Sequence, residues 1–278
     1  MEFKRLGKSD VQIPVLGLGT WGIGGFSSKR FGGEDQDAAA LRLGLELGMR
    51  FIDTAEMYAH GHSEEVVATV VEKERANVFV ATKVSAENLS YEGVMRSCDA
   101  SLRRLKTTYI DLYQVHWPNP RIPIAETMKA MEKLVDEGKV RHIGVSNFSV
   151  EQTRQAQESL SKNSIASNQV EYNLTERSIE EDLLPFCTRE NVTVIAYSPV
   201  ARGQLGGSNR DSRWHALDSI AGKYDKTRIQ VALNWLICKE PVVAIPKASR
   251  LEHVRENAGA IGWTLEREDQ DALNTAFK

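Results

Sequence analysis

The sequence contains few cysteines, no marked excess of either charge and no long apolar run, and each absence argues against a class of protein. Its three cysteines are far apart and form no C-x-x-C pair, which argues against a disulfide framework or a zinc site and is typical of a reducing compartment. A formal net charge of −3 gives no general basis for binding nucleic acid or an anionic membrane. No apolar stretch approaches the roughly 20 residues of a transmembrane helix, and the first residues lack the apolar core of a signal peptide. We therefore expect a cytoplasmic protein with neither a nucleic-acid nor a membrane partner.

What the 278 residues do contain is a regular alternation of eight short β-rich runs with helical patterns. The predicted strands are Val15–Leu18, Phe51–Asp53, Val78–Thr82, Ile110–Val115, His142–Val145, Ser167–Glu171, Val192–Tyr197 and Val242–Ile245. The predicted helices are Glu34–Leu47, Ser63–Glu74, Tyr91–Leu105, Ile124–Glu137, Val150–Leu160, Ser178–Arg189, Thr227–Lys239, an eighth from about Leu251, and a last helical pattern at Glu266–Ala276. Eight such units without a break in composition predict one (β/α)8 TIM barrel over residues 1–278, because that fold takes about 250 residues. A doubly wound sheet is the alternative.

A β-hairpin is predicted ahead of the first strand–helix unit. Residues 3–6 and 11–13 have strand character, and Gly7-Lys8-Ser9-Asp10 between them is a turn sequence. A hairpin outside the eight units would cap one end of the barrel.

A glycine-rich stretch, VLGLGTWG at residues 15–22, fits the pattern G-x-G-x-x-G. That pattern binds a dinucleotide when a strand precedes it and a helix follows directly. Here glycines recur as far as Gly33, which is incompatible with the first turns of a helix. We therefore interpret the match to the Rossmann pattern as accidental.

Chemically useful side chains stand at the ends of three consecutive predicted strands. Asp53 ends one strand and Tyr58 follows it by five residues, Lys83 follows the next strand, and His116 follows the third. Each alone has a structural explanation, since an Asp caps loops, a Lys lies at a solvated rim and a buried His is hydrogen-bonded. Active sites of barrels lie at the carboxyl ends of the strands, so four such groups at one end indicate a catalytic site.

These four groups suit proton transfer to an oxygen that is becoming an alkoxide. A free phenol has a pKa near 10, and a neighbouring ammonium lowers it by stabilising the phenolate. We expect Lys83 to act in this way on Tyr58, Asp53 to hold Lys83, and a neutral His116 to orient the substrate carbonyl. The chain shows no nucleophile elbow, no P-loop and no cluster of metal ligands, and we interpret His60 and His62 as solvated loop residues.

Several multi-residue blocks resemble the successive signatures of the aldo-keto reductase superfamily. They are GLGTW, GMRFIDTAEMYAHGHSEEVV, ATKV, SLRRLKTTYIDLYQVHWP, VRHIGVSNFS, NQVEYN, AYSP and IPKASRLEHVREN, in the family's order and over almost the whole chain. The resemblance implies a (β/α)8 barrel that reduces a small aldehyde or ketone with NAD(P)H, without a metal. It also implies that Tyr58 is the general acid and that Asp53, Lys83 and His116 support it.

The same resemblance implies where the nicotinamide lies. Ser146, Asn147 and Gln169 would bind its carboxamide, although the first two also suit a helix cap. Tyr197 would stack on the ring. The other residues expected around the nicotinamide, the pyrophosphate and the substrate are Gly19 and Thr20 beside the cofactor, Ser198 at the start of the pyrophosphate loop, and Trp21 and Trp117 in the substrate pocket.

The stretch from Lys247 to Asn257 resembles the family's segment for the adenosine end of the cofactor. Lys247 matches the cation that binds the 2′-phosphate of NADPH, His253 stands where the family has an Arg, and Arg250 offers a second charge. We predict a preference for NADPH with NADH usable, because fixed cations favour a phosphate dianion. The other contacts expected here are Ser249, Glu256 and Asn257.

Two further functions are compatible with these residues. A cofactor-binding, redox-sensing regulatory subunit of the same family would keep the four groups and turn over slowly. A barrel lyase or aldolase would use Lys83 as a Schiff-base nucleophile. The sequence leaves the oligomeric state open between a monomer and a small homo-oligomer.

Overall fold

A computed structural model describes residues 1–26, 28–207 and 212–278 of the chain, and its centre is an eight-stranded parallel sheet. The strands of this sheet are β3 (Leu18–Gly19), β4 (Phe51–Asp53), β5 (Phe79–Val84), β6 (Ile110–Val115), β7 (Val140–Ser146), β8 (Ile165–Glu171), β9 (Thr193–Tyr197) and β10 (Val242–Ala244). Each strand pairs with the next along the chain. Leu16 pairs in parallel with Ala244 just before β3, and the Gly17 amide donates to the Ala244 carbonyl at 2.8 Å, which brings the two edges together. The predicted (β/α)8 barrel is confirmed.

The helices surround this sheet. They are α1 (Glu34–Glu46), α2 (His62–Val71), α3 (Tyr91–Leu105), α4 (Ile124–Asp136), α5 (Val150–Glu158), α6 (Leu183–Glu190), α7 (Ser212–Tyr224), α8 (Arg228–Ile237), α9 (Leu251–Ala258) and α10 (Arg267–Ala276). The sequence prediction missed α7, although Trp214, Leu217 and Ala221 lie at helical spacing and are buried. Among the described helices, none has both the length and the apolar character to cross a membrane.

Several boundaries differ from the sequence prediction, and β5 extends to Val84, so that Lys83 lies within the strand and does not follow it. The helix expected at 178–189 is a single 3-10 turn at Ser178–Glu180 followed by α6. The first barrel strand is shorter than expected, because residues 15–17 reach the neighbouring edge only through the bridge at Leu16.

The N-terminal hairpin, β1 (Phe3–Arg5) paired antiparallel with β2 (Gln12–Pro14), closes the amino-terminal end of the barrel. Leu6 and Ile13 are fully buried in a cluster with side chains from the barrel interior. Gly7 adopts a left-handed conformation (φ +54°) and its amide donates to Thr193 Oγ1 at 2.9 Å, at the start of β9. The hairpin therefore blocks one end, and the other end, where the strands terminate, is left for a site.

Candidate active site

Lys83 is the centre of the site that the strand ends form. Its side chain is fully buried, and Nζ donates to Asp53 Oδ1 at 2.6 Å and to the Thr54 carbonyl at 2.8 Å. Nζ also donates to the Tyr58 hydroxyl at 3.3 Å. Burial disfavours the ammonium, but Asp53 and Tyr58 outweigh that effect and the pKa of Lys83 is raised, so the side chain is charged at neutral pH. The barrel thus brings three of the four predicted groups into one hydrogen-bonded chain.

The Tyr58 hydroxyl lies in an almost water-free position beside this cation. Burial raises the pKa of Tyr58, and the charge of Lys83 opposes the rise without cancelling it. The expected lowering by Lys83 therefore operates, but it is smaller than the effect of desolvation. The hydroxyl therefore remains protonated at neutral pH, and Lys83 limits how far burial weakens it as an acid.

His116, the fourth predicted group, packs edge-on against Tyr58. The ring centroids are 5.6 Å apart at an interplanar angle of 71°. Burial, assisted by the charge of Lys83, lowers the pKa of His116 to about 3, so the imidazole is neutral, as expected from the sequence. Nδ1 is buried and has no hydrogen-bond partner within the described residues. A neutral ring of this kind can orient a polar substrate without adding charge.

The low pKa of His116 predicts how stability depends on pH. An unfolded His has a pKa near 6.5, so below that pH the unfolded state binds a proton that the native state, with a pKa of about 3, does not bind. The free energy of unfolding should therefore fall as pH drops from 6.5 towards 4, and His116→Gln should flatten this slope. Urea unfolding of both proteins at pH 7.0, 5.5 and 4.5 measures the difference. If the free energy of unfolding depends on pH in the same way for both proteins, the prediction of a neutral His116 is contradicted.

The residues expected at the nicotinamide carboxamide converge on Asp53 and His116. Tyr197 OH donates to Asn147 Oδ1 at 3.0 Å, and Asn147 Nδ2 donates to the His116 carbonyl at 3.1 Å. Ser146 Oγ donates to the Gln169 carbonyl at 2.9 Å. Gln169 Nε2 donates to Asp53 Oδ2 at 2.7 Å, which leaves Gln169 Oε1 as an acceptor.

The alternative role of Ser146 and Asn147 as a helix cap is wrong. Ser149 caps α5, since its hydroxyl accepts from the Gln152 amide and the Gln152 side chain returns a bond to the Ser149 amide. Asn147 instead adopts a left-handed conformation (φ 62°) that directs the chain from β7 towards the site. Its side chain therefore lies at the carboxyl ends of the strands, where it bonds to the His116 carbonyl, Ser146 Oγ and Tyr197 OH.

The end of β3 and the residues after it support Asp53 and form part of the wall of the open end of the barrel. Thr20 is fully buried, and its hydroxyl donates to the Asp53 carbonyl at 3.0 Å. A Cβ on Gly19 would stand 2.6 Å from the Ile245 carbonyl, so the glycine permits the close approach of these two segments. The Trp21 and Tyr58 ring centroids are 4.9 Å apart. Trp21 and Trp117 are 47% and 49% exposed, as expected for side chains at a pocket mouth.

The segment expected to bind the adenosine end begins with an exposed cation. Asp37 and Arg30 act on Lys247 through their charges, without a hydrogen bond, and burial of part of the side chain lowers the pKa of Lys247. Arg250 is the N-cap residue of α9, and its guanidinium lies 2.5 Å from His253 Nε2. The positive charges of this segment therefore lie near the N-terminus of α9. Anions bind at helix N-termini, and cations are unfavourable there unless an anion is bound beside them.

The remaining predicted cofactor residues make contacts within the protein. The Ser249 carbonyl accepts from Gln36 Nε2 at 3.3 Å, the Glu256 carbonyl accepts from Gln230 Nε2 at 3.1 Å, and Asn257 is buried on α9. The Ser198 carbonyl accepts from Asn173 Nδ2 at 3.1 Å. Part of the loop after Ser198 that was expected over the pyrophosphate, residues 208–211, lies outside the described residues.

Sequence reasoning missed two polar residues beside these groups. Gln114 is fully buried on β6 and its Nε2 donates to Asp53 Oδ2 at 3.3 Å. Arg30 forms an ion pair of 2.6 Å with the buried carboxylate of Asp37, close to Lys247. A glutamine near the end of the predicted strand IDLYQV was the signal for Gln114, whereas Arg30 is a loop cation with no local signature.

The interpretation of both loop histidines as solvated is wrong for His62. Its ring is mostly buried, with Nδ1 2.7 Å from Glu65 Oε2 and Nε2 3.2 Å from Glu34 Oε1. Within residues 1–26, 28–207 and 212–278, no three His, Cys, Asp or Glu side chains are grouped so that they could hold a metal ion.

Comparison with known proteins gives a consistent result. The model of the Aldo/keto reductase family matches residues 15–277. Methylglyoxal reductase YeaE of Escherichia coli (strain K12) is 40% identical over 269 residues, which cover 96% of this chain and 92% of that protein. Glyoxal reductase of Bacillus subtilis (strain 168) is 31% identical over 271 residues, which cover 96% of this chain and 90% of that protein.

Solved structures agree with the sequence relatives. The thermostable aldo-keto reductase Tm1743, crystallised with the inhibitor epalrestat, has a TM-score of 0.95 at 40% identity, covering 99% of this chain and 100% of that one. An aldo/keto reductase from Klebsiella pneumoniae in complex with NADP and acetate has a TM-score of 0.89 at 39% identity, covering 99% of this chain and 95% of that one. With a family model over nearly its whole length and the barrel that these relatives share, the chain belongs to the aldo/keto reductase family of oxidoreductases.

Proposed function

We propose that this protein is an NADPH-dependent carbonyl reductase in which Tyr58 protonates the oxygen of a small aldehyde or ketone. The observation that carries the proposal is the chain Tyr58–Lys83–Asp53, with distances of 3.3 Å and 2.6 Å, at the open end of the barrel. This arrangement holds a protonated phenol beside a fixed cation. It matches what reduction of a carbonyl demands, namely a proton donor whose conjugate base is stabilised.

The donors and acceptors at the open end fit a nicotinamide cofactor. Gln169 Oε1 is an acceptor for an amide N–H because Gln169 Nε2 is already bound to Asp53. Asn147 Oδ1 accepts one bond from Tyr197 and can accept a second, whereas both N–H groups of Nδ2 are already used by His116 and Ser146. Lys247 offers a cation to a phosphate at the other end of such a molecule. The complex of the Klebsiella pneumoniae relative with NADP supports this assignment. When bound, the cofactor supplies the hydride.

The protein's own residues then handle the proton. The Tyr58 hydroxyl donates to the carbonyl oxygen and loses its proton to it as the oxygen becomes an alcohol. The Lys83 ammonium stabilises the phenolate that remains, and Asp53 keeps that ammonium in place. Neutral His116, packed against Tyr58, orients the carbonyl. In the reverse direction, the phenolate of Tyr58 takes the proton of an alcohol.

The substrate pocket supports small carbonyl compounds. Trp21 and Trp117 are about half exposed, so they form walls of an open mouth and do not enclose a bulky ligand. Relatives of this chain are named methylglyoxal reductase and glyoxal reductase. We therefore propose short aldehydes and dicarbonyl compounds as the substrate class. Loss of NADPH absorbance across a panel of aldehydes, ketones and sugars tests this proposal, and selective nanomolar binding of one bulky ketone would contradict it.

The same panel tests the regulatory function, and the geometry at Lys83 bears on the lyase. A regulatory subunit would bind NADPH and turn over nothing on the panel. A Schiff-base lyase needs a neutral amine, whereas the pKa of Lys83 is raised and its ammonium is bound to Asp53, Thr54 and Tyr58. The geometry at Lys83 therefore argues against a lyase.

Lys247→Met is expected to weaken NADPH binding by about 10-fold or more while changing NADH binding less. A hydrogen bond to a charged group contributes about 1.5–3 kcal/mol, and 1.4 kcal/mol corresponds to a tenfold change in Kd. Titration of protein fluorescence with each cofactor measures both dissociation constants. Arg250→Met is the matched variant, because it removes a neighbouring cation and shows whether Arg250 shares the 2′-phosphate. Equal losses for NADPH and NADH would contradict contact between Lys247 and that phosphate.

A further inference from the structure

The backbone that carries Tyr58 adopts an unfavourable conformation. Tyr58 begins a 3-10 turn that ends at Gly61, and two of its residues are left-handed although they are not glycine: Ala59 (φ 48°) and His60 (φ 52°). Gly61 follows at φ 84°. Left-handed non-glycine residues cost free energy and persist only where the surroundings hold them. Something outside the turn must therefore fix it, and with it the position of the Tyr58 hydroxyl.

An ion pair between a buried carboxylate and a partly buried arginine lies directly behind this turn. Glu64, on the first turn of α2, is fully buried, and its Oε2 accepts from Arg104 Nε at 2.6 Å. Its other oxygen, Oε1, accepts from Thr82 Oγ1 at 2.6 Å. Arg104 comes from the end of α3 and lies against Gly61, where an added Cβ would stand 2.5 Å from Arg104 Cδ.

This network connects to both residues of the Tyr58–Lys83 contact. Glu64 and Gly61 belong to the segment that leaves Tyr58, whereas Thr82 directly precedes Lys83 on β5. Burial raises the pKa of Glu64 and the charge of Arg104 opposes this, so the carboxylate depends on its partner. A rearrangement of the pair would therefore shift the Tyr58 segment relative to β5.

We propose that Arg104 and Glu64 are positioning residues that clamp the strained turn against β5 and so hold the Tyr58 hydroxyl at Lys83 Nζ. The proposal rests on the proposed function, in which Tyr58 is the proton donor. Neither residue touches the reacting atoms. They act on the reaction by fixing the Tyr58–Lys83 distance. This distance determines how strongly the charge of Lys83 opposes the rise in the pKa of Tyr58.

Arg104→Met is the test. Since a misplacement of about 1 Å costs roughly 10²-fold in rate, we expect kcat to fall by about 10- to 100-fold while the Kd for NADPH stays within about twofold. Alcohol oxidation needs the phenolate of Tyr58, so its rate should rise at higher pH than in the wild type once Lys83 lies farther away. Arg104→Lys should recover part of kcat and return the pH profile towards that of the wild type.

A second ion pair, between Arg75 and the buried Asp111, provides the control, although Asp111 also pairs with Arg141 at 3.0 Å. Arg75 Nη2 lies 2.7 Å from Asp111 Oδ2 at the start of β6, at the opposite end of the barrel from Tyr58. Arg75→Met should lower the melting temperature as Arg104→Met does, yet leave kcat and the pH profile unchanged. Glu64→Gln keeps the side-chain volume and removes the charge, and it replaces Arg104→Met if that variant does not fold.

The outcomes separate the clamp from the proposed function. If Arg104→Met, or Glu64→Gln in its place, leaves kcat and the oxidation profile unchanged while Tyr58→Phe is inactive, the clamp is overturned and the function stands. If Arg75→Met reproduces the shifted profile, the effect of Arg104 is general destabilisation and the clamp is again overturned. If Tyr58→Phe keeps its activity, the proposed function itself is overturned. A lowered kcat with a shifted profile for Arg104→Met alone supports the clamp.

Discussion

Tyr58→Phe is expected to lower kcat for carbonyl reduction by about 10²- to 10⁴-fold, which is the usual contribution of a positioned general acid. The phenylalanine ring keeps the contacts with Trp21 and His116, whose centroids lie 4.9 Å and 5.6 Å from that of Tyr58. Only the hydroxyl 3.3 Å from Lys83 Nζ is lost. The variant should therefore bind NADPH as the wild type does and lose rate alone. Steady-state kinetics with a short aldehyde, together with cofactor titration, measures both quantities.

Tyr113→Phe is the matched control for this substitution. Tyr113 is also fully buried, and its hydroxyl has no hydrogen-bond partner among the described residues. Its side chain packs in the main apolar core and not at the open end of the barrel. Removing this hydroxyl should leave kcat unchanged. If Tyr58→Phe turns over at the wild-type rate, Tyr58 is not the proton donor, whatever the result for Tyr113→Phe.

Lys83→Met is expected to abolish most activity and also to destabilise the fold. Asp53 is only 1% exposed, and the substitution leaves its carboxylate buried without the cation 2.6 Å away. Breaking a buried pair by removing one partner typically costs about 3–5 kcal/mol of stability. The remaining donors to Asp53, Gln169 Nε2 at 2.7 Å and Gln114 Nε2 at 3.3 Å, are neutral amides and do not replace the charge. Urea unfolding and kcat, measured on the same preparation, test both effects.

The double variant Asp53→Asn with Lys83→Met separates stability from catalysis. It removes both charges, so much of the lost stability should return, because no uncompensated ion stays buried. Activity should not return, since no cation then faces the Tyr58 hydroxyl. Recovery of rate together with stability would show that Lys83 acts only on the fold.

Much of the architecture could be predicted from local patterns. The eight strand–helix units follow from short β-rich runs and helical spacing, and all eight predicted strands have counterparts in the barrel. The helix α7 was missed although its apolar spacing is regular. The pairing of Leu16 with Ala244 could not be predicted locally, because it joins residues 228 positions apart in the sequence.

The sequence by itself determined which chemical groups stand at the ends of which strands. Asp53, Tyr58, Lys83 and His116 follow three consecutive β-rich runs, and the rule that parallel strands end at one face of a barrel predicts their proximity. This inference needs only periodicity and residue type. Those two properties are local, so a single chain displays them directly.

Only the tertiary structure decided the state and support of these groups. It determined that burial outweighs Lys83 in setting the pKa of Tyr58 and lowers the pKa of His116 to about 3. It also brought Gln114 to Asp53, and Arg104 to Glu64 behind the strained turn. The physical reason is that desolvation and ion pairing depend on every atom within a few ångströms, and those atoms come from segments that are distant in the sequence.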